Sequence, residues 1–287
     1  MASQLDKARA FEALHAAPGA FVLPNPWDVG TARMLVPLGY RALATTSAGF
    51  AFSIGRPDGE AAVGRDEALA HASTIVEATD LPVSGDLENG FGDAPVDCAE
   101  TIRLAAEAGL VGASIEDATG RAGDPIFPFD LSVARIGAAV AASRSLSFPF
   151  TLTARAENFV HGRRDLPDTL RRLRAFAEAG ADVLYAPGLT GVEDIAAVVR
   201  AVAPKPVNVV MEVAGATLTV AELAALGVKR ISVGSGYACA AYGAFLRAAR
   251  EVATVGTFDF VHDAVPFADI NAMFQGQRAR PEPRTRP

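Results

Sequence analysis

Leu104-Ala105-Ala106-Glu107-Ala108-Gly109-Leu110-Val111-Gly112-Ala113-Ser114-Ile115-Glu116 reads as the end of a helix, a glycine, and an apolar strand finishing on a carboxylate. A glycine just past a helix takes the left-handed conformation that closes it, and the chain then re-enters a strand. Working outward, the unit recurs at Gly39 before Tyr-Arg-Ala-Leu, at Gly180 before Ala-Asp-Val-Leu and at Gly227 before Val-Lys-Arg-Ile. Short apolar runs near 21–24, 41–47, 82–88, 110–116, 149–155, 181–187, 206–211 and 229–234 give eight strands alternating with amphipathic segments. Strand–helix alternation implies parallel strands joined by right-handed crossovers, and eight such units fit a closed α/β (β/α)8 TIM-type barrel better than an open sheet. An open dinucleotide-binding sheet would place G-x-G-x-x-G after its first strand, where this chain has Pro24-Asn25-Pro26-Trp27-Asp28. One domain is expected over 1–274, with helical pattern from Cys239 to Arg250 and again from Asp259 to Phe274, followed by a disordered Pro- and Arg-rich tail at 275–287.

Composition narrows the partners. The 287 residues are 50% apolar and 21% charged with a net charge of -7, and no basic stripe offers a grip on nucleic acid or anionic membrane. No apolar run reaches the length of a membrane span, and the first residues, MASQLDKARAF, carry charge where a secretory signal is apolar. The two cysteines, Cys98 and Cys239, make neither a zinc pair nor a disulfide framework, so a reducing, cytoplasmic setting is expected; Cys239 reads as a packed small side chain.

In such barrels the chemistry sits at the carboxyl ends of the strands. Those positions here carry Thr45-Thr46-Ser47-Ala48-Gly49 with Asp58 in the following loop, then Asp86-Leu87-Glu88, Glu116-Asp117 and Arg155-Ala156-Glu157-Asn158, with Asn208 and Glu212 on the seventh strand and beyond it. Asp86 and Glu88, two apart, project to one side, and Glu116 on the next strand reaches the same space. Three carboxylates in one cavity repel. A divalent cation relieves that, and an all-oxygen donor set suits Mg2+, or Mn2+, better than zinc; each acid singly could also be a solvated loop residue or pair with Arg155. The three lysines, Lys7, Lys205 and Lys229, lie away from the strand ends, which argues against Schiff-base chemistry. Of the four histidines only His161 falls on the catalytic face, and Gly234-Ser235-Gly236 could either cradle a phosphate or serve close backbone packing. A metal, an arginine and the backbone N–H groups of Ser47 to Gly49 suit chemistry through an enolate.

Leu23-Pro24-Asn25-Pro26-Trp27-Asp28, the Thr45–Gly49 turn, Arg56-Pro57-Asp58-Gly59, Gly85-Asp86-Leu87-Glu88-Asn89-Gly90-Phe91-Gly92, Ser114-Ile115-Glu116-Asp117 and Ala154-Arg155-Ala156-Glu157 together resemble the isocitrate lyase and phosphoenolpyruvate mutase superfamily, over about residues 18 to 250. The resemblance implies the barrel, a Mg2+ held largely through water by Asp86, Glu88 and Glu116, and Asp58 ordering the water shell. It implies an α-keto carboxylate bound by Thr45, Ser47, Ala48, Gly49, Arg155 and Asn208, with Arg155, Asp58 and Glu116 as catalytic groups. It further implies a helix after the eighth strand that is exchanged between subunits of a homodimer or homotetramer. Two departures stand out. The usual Asp-x-Asp reads Asp86-Leu87-Glu88, and the loop Ala118-Thr119-Gly120-Arg121-Ala122-Gly123-Asp124-Pro125-Ile126-Phe127-Pro128-Phe129 has no cysteine, lysine or histidine. The resemblance implies a Lys-Lys-Cys-Gly-His type segment there in an isocitrate or methylisocitrate lyase, its cysteine serving in proton transfer, and a lysine- and asparagine-bearing loop in a phosphonopyruvate mutase. The expectation is a Mg2+-dependent carbon–carbon lyase, a decarboxylase or retro-aldol enzyme, acting on a small α-keto or 2-hydroxy di- or tricarboxylate through an enolpyruvate-like intermediate. The alternatives are phosphorus–carbon chemistry, supported by Arg121, Arg163 and Arg164, and a non-catalytic α-keto acid binder.

Overall fold

In the computed structural model, which describes residues 2–212 and 218–275, eight strands form one parallel sheet: β1 (Phe21–Leu23), β2 (Leu43–Ala44), β3 (Val83–Asp86), β4 (Gly112–Glu116), β5 (Thr151–Arg155), β6 (Val183–Tyr185), β7 (Val207–Val210) and β8 (Arg230–Ser232). The spatial order runs β1-β8-β7-β6-β5-β4-β3-β2, and the Ala44 N–H donates to the Pro24 carbonyl at 3.0 Å across the remaining gap, so the sheet curls into a nearly closed (β/α)8 barrel. Each strand is shorter than its apolar run, because ladder bonding ends where the chain turns toward a helix while the apolar pattern continues. The helices are α1 (Gln4–Ala16), α2 (Val29–Leu35), α3 (Ser47–Ser53), α4 (Arg65–Glu77), α5 (Pro95–Glu107), α6 (Phe129–Arg144), α7 (Leu166–Glu178), α8 (Val192–Val202), α9 (Val220–Ala225), α10 (Gly236–Thr254) and α11 (Phe267–Gln275).

The four repeated glycines all adopt left-handed backbone, with φ of 84° at Gly39, 91° at Gly109, 105° at Gly180 and 89° at Gly227. At Gly109 a side chain would also strike Val76 of α4, so conformation and packing both demand glycine there. The main core lies between strands and outer helices, where Ile102, Leu110, Ile115, Leu152, Leu173, Phe176 and Leu184 are closed to solvent. A second cluster, with Phe11, Phe21, Leu23 and Val111, packs α1 across the amino-terminal end of the barrel. Gly112 makes room for it, since a Cβ there would meet the Phe11 ring at 2.9 Å.

Inside the barrel the side chains are unusually polar for a fold that generally fills its interior with branched aliphatics. Arg230 Nε donates to Asn208 Oδ1 at 2.8 Å and its Nη2 to Thr153 Oγ1 at 2.9 Å, while Asn208 Nδ2 donates to Ser232 Oγ at 3.0 Å. The chain of bonds ends at α1, where Arg230 Nη1 faces His15 Nε2 at 3.5 Å. Among the described residues no carboxylate pairs with this guanidinium, and burial lowers its pKa to about 10.

By its contacts the chain divides into two compact units, residues 1–239, which hold the whole barrel, and 240–287. The division falls inside α10, within the 1–274 span read as one domain. The second unit comprises the rest of α10, a short 3-10 turn at Asp259–Asp263 and α11; the expected tail lies outside the described residues except for Gln275. Among the described residues no helix is long and apolar enough to cross a membrane.

Candidate active site

The strand register brings the site together. Glu116 pairs with Arg155 across β4 and β5, Asp86 with Ser114 across β3 and β4, and Arg155 with Tyr185 across β5 and β6. All sit at the carboxyl ends of their strands, around a cavity of about 540 Å3 that is also lined by Ser47, Ala48, Asp58 and Glu88. A second chamber of about 560 Å3 adjoins it, sharing Glu88, Glu116 and Arg121. Ala61, Glu88 and Phe91, non-glycine residues with φ of 53°, 45° and 58°, all line this second chamber. Left-handed backbone at such residues costs about 1–3 kcal/mol each and concentrates at functional sites.

Arg155 is the hub. Its Nη1 donates to Asp86 Oδ1 at 2.8 Å and lies 3.2 Å from Glu116 Oε2, and its Nε donates to Glu157 Oε1 at 2.9 Å. Its Cζ stands 5.1 Å from the centre of the Tyr185 ring. Nη2 has no protein partner among the described residues, so one edge of the guanidinium is available to a ligand. Burial opposes the charge on Arg155, but Glu157, Glu116 and Asp86 together hold it protonated.

Asp86 is held from three sides: Oδ2 accepts from Ser47 N–H at 3.2 Å and from its hydroxyl at 3.1 Å, and Oδ1 accepts from Ser114 Oγ at 3.2 Å. The remaining acids are short of positive charge. Burial, reinforced by Asp86, pushes Asp58 up to about 6, and burial with Asp58 and Asp86 pushes Glu88 up to about 7. Glu116 is raised well above the carboxylate range by burial, against the pull of Arg155. One arginine serves a crowd of oxygen ligands, the environment in which a hard divalent cation binds favourably. Among the described residues no three acids already converge as a ready ligand set, since Arg155 Nη1 stands between Asp86 and Glu116; the donor chemistry fits an ion held partly through water.

Not every residue read from the sequence reaches the cavity. Thr45 is buried behind it, its hydroxyl accepting from the Asp86 N–H at 2.8 Å. Gly49 is buried too; its N–H donates to Thr46 Oγ1, the cap of α3, and a Cβ would meet that of Trp27 at 2.9 Å. Of Ser47 to Gly49, Ser47 and Ala48 line the cavity, with the Ser47 N–H turned to Asp86. Asn208, 2% exposed, belongs to the polar barrel interior between Arg230 and Ser232 and does not line the cavity. Of the arginines offered for a cationic rim, Arg121 lines the cavity but pairs with Asp93 at 2.8 Å, while Arg163 and Arg164 lie exposed outside it. His161 lines the cavity. Cys239 is exposed on α10 rather than packed.

The Gly234-Ser235-Gly236 turn has no donor left for a phosphate. Val233 and Gly234 donate to Asn25 Oδ1 at 3.0 and 2.9 Å, Ser235 N–H to Glu212 Oε2 at 2.6 Å, and Gly236 N–H to the Val233 carbonyl at 3.0 Å.

Sequence reasoning left one supporting group unassigned. Glu157, 3% exposed, takes Arg155 Nε, and its own N–H donates to Asp117 Oδ1 at 2.8 Å. Asp117 Oδ2 in turn accepts from Arg172 Nη1 of α7 at 3.0 Å, and the same nitrogen donates to the Phe127 carbonyl and Ser132 Oγ, both at 3.1 Å. Burial pushes the Asp117 carboxyl up, against the Glu157 N–H and Arg172. One buried arginine thus ties both roots of the 118–127 loop to the residue bracing Arg155. The i, i+2 spacing of Arg155 and Glu157 is the signal for the first link; nothing local marks Arg172.

A family model described as phosphoenolpyruvate phosphomutase matches residues 11–253. A solved structure of a candidate lyase/mutase from Burkholderia cenocepacia J2315 superposes with a TM-score of 0.91 at 63% identity, covering 95% of this chain and 96% of that one. An uncharacterised protein of Mycobacterium tuberculosis is 33% identical over 92% of this chain and 95% of its own length. The oxaloacetate decarboxylase of Paraburkholderia xenovorans is 30% identical over 73% of this chain and 69% of its own.

Proposed function

Because this chain belongs to the phosphoenolpyruvate phosphomutase family, within the isocitrate lyase and phosphoenolpyruvate mutase superfamily, we propose that it is a divalent-metal-dependent carbon–carbon lyase acting on a small α-keto or 2-hydroxy acid. The observation that carries this is Arg155, anchored on two sides by Asp86, Glu116 and Glu157 but with Nη2 unpaired, in a cavity that Asp58, Glu88 and Glu212 also line. A carboxylate entering that cavity has one strong donor to meet, and its orientation follows from it. Asp86, Glu88 and Glu116 would hold Mg2+ or Mn2+, which supplies positive charge for an oxygen that becomes enolate-like.

The chain's own residues do the rest. Arg155 Nη2 binds the substrate carboxylate, and Ser47 and Ala48 border the same space from the start of α3. Tyr185 supports the guanidinium through its ring face. Asp58, its pKa raised by burial and Asp86, is suited to take up a proton from the reacting end of the substrate and return it. In a decarboxylation, the bond between the β-carboxylate and its carbon breaks, carbon dioxide leaves, and the electron pair passes into the keto group; protonation of that carbon gives the α-keto product. The loop at 118–127 brings no cysteine, lysine or histidine, which favours simple decarboxylation or retro-aldol cleavage and, as a second reading, binding without turnover.

Pyruvate release from oxaloacetate and from short 2-alkylmalates, with Mg2+ and with chelator, tests the proposal. Metal-dependent release well above the rate with metal alone supports the lyase. Tight metal-dependent binding without release would replace it with the binding reading.

A further inference from the structure

The turn after β8 and the start of α10 form the side of the cavity opposite the acidic cluster, and they are already occupied by a carboxylate from this chain. Glu212 follows β7, and its Oε2 accepts from both the Ser235 N–H at 2.6 Å and the Ser235 hydroxyl at 3.0 Å. Gly234, at φ 58°, lets the carboxylate lie where a Cβ would stand. Asn25 takes the two preceding N–H groups. Glu212, Gly234 and Ser235 all line the cavity, so an incoming substrate meets the negative charge rather than the backbone donors beneath it. Among the described residues no cation pairs with Glu212: the ion pairs of Arg155 run to Asp86, Glu116 and Glu157, and that of Arg121 to Asp93.

We propose that Glu212 is a specificity-determining residue that keeps a phosphonate off the β7–β8 side of the cavity, and so reserves that side for a neutral or cationic donor such as a hydroxyl or an ammonium, with any second carboxylate of the substrate turned away from it. This rests on the keto-acid reading of the site for the other end of the substrate. A phosphonate approaching Ser235 must displace Glu212 from two hydrogen bonds or lie beside it, and like charges at such separation repel strongly where solvent is partly excluded. A hydroxyl or ammonium instead finds an acceptor ready. The surface that barrels of this type often use for phosphate is thereby inverted in sign.

The test is calorimetric titration of the full chain with Mg2+ present, using oxalate as a planar keto-acid mimic, phosphonopyruvate, and inorganic phosphate. E212Q removes the charge while keeping an acceptor for Ser235; E212S removes the occluding group as well, and circular dichroism checks that both fold. Wild type should bind phosphonopyruvate at least about tenfold more weakly than oxalate, and both variants should raise the phosphonopyruvate-to-oxalate affinity ratio by about tenfold or more. E212S should gain measurable phosphate binding that wild type lacks. The proposal is overturned if wild type takes phosphonopyruvate as tightly as oxalate, or if the ratio does not move in either folded variant. Failure of oxalate to bind any of the three proteins would overturn the keto-acid reading instead, and phosphate then decides: binding to E212S alone supports the role of Glu212, and no difference from wild type refutes it.

Discussion

Replacing Arg172 with methionine should unfasten the site without touching the cavity. The side chain is 8% exposed and its partner Asp117 1%, so the pair is closed to solvent. Methionine keeps much of the volume but leaves the Asp117 Oδ2, the Phe127 carbonyl and Ser132 Oγ without their shared donor. Removing one member of a buried pair costs about 3–5 kcal/mol, because the remaining charge stays buried and unpaired. For a cooperative unit of this size that corresponds to a fall in Tm of roughly 6–20 °C. The companion variant D117N keeps an acceptor for the Glu157 N–H. In D117N/R172M the unpaired carboxylate left by R172M is gone, and Asp168, which also accepts from Arg172 Nε, keeps Arg171 and Asn158, so the double variant should lose at least about 1.5 kcal/mol less than the two single losses added together. Urea unfolding of the four proteins at pH 7.5 measures this cycle. A loss below about 1 kcal/mol in R172M, or strict additivity in the double variant, would show that the brace is not coupled as described.

Three further outcomes are expected. His15 is held neutral, its pKa lowered to about 3 by burial and then by Arg230, so the unfolded chain takes up a proton below its ordinary value of 6.5 while the folded one does not. Stability from this group is full above pH 6.5 and is lost as pH falls toward 3, about 2 kcal/mol at pH 5; urea unfolding at pH 7.5 and 5 should show that loss in wild type, and an equal loss in H15Q would contradict it. Asp86→Asn should remove most of any Mg2+-induced rise in Tm measured by scanning fluorimetry, whereas a full rise in the variant would relocate the metal. Gly109→Ala should cost at least about 1 kcal/mol from the left-handed backbone, with more from contact with Val76; a neutral substitution would mean that the turn relaxes freely.

Much of this architecture was legible in the chain because it repeats. The helix–glycine–strand unit at Gly39, Gly109, Gly180 and Gly227 carries its own conformational reason, and eight copies of an apolar run leave few topologies open. Strand-end acids were legible for the same reason, since Asp86, Glu116 and Arg155 sit at equivalent places in successive units. What escaped was non-local. The glycines and serine at 234–236 look like a phosphate loop until Asn25, 209 residues from Gly234, and Glu212 are seen to take the donors. Asn208 has the parity of an inward residue, but parity does not give depth, and it lies in the barrel interior with Arg230. Thr45 and Gly49 were read as part of a strand-end cradle, whereas the cap at Thr46 turns the chain into α3 two residues after β2 ends.

The bond from His15 to Arg230 joins residues 215 positions apart. Helix α1 therefore has no finished seat until β8, the last strand of the barrel, has been made. Phe11 meets its apolar partners sooner, in β1, β2 and Val111, but the polar end of α1 stays unmatched until Arg230 has been made. Such late closure is slow and exposes the nascent chain to aggregation, so the order of translation places the demand for chaperone protection on α1 and the open sheet until β8 arrives.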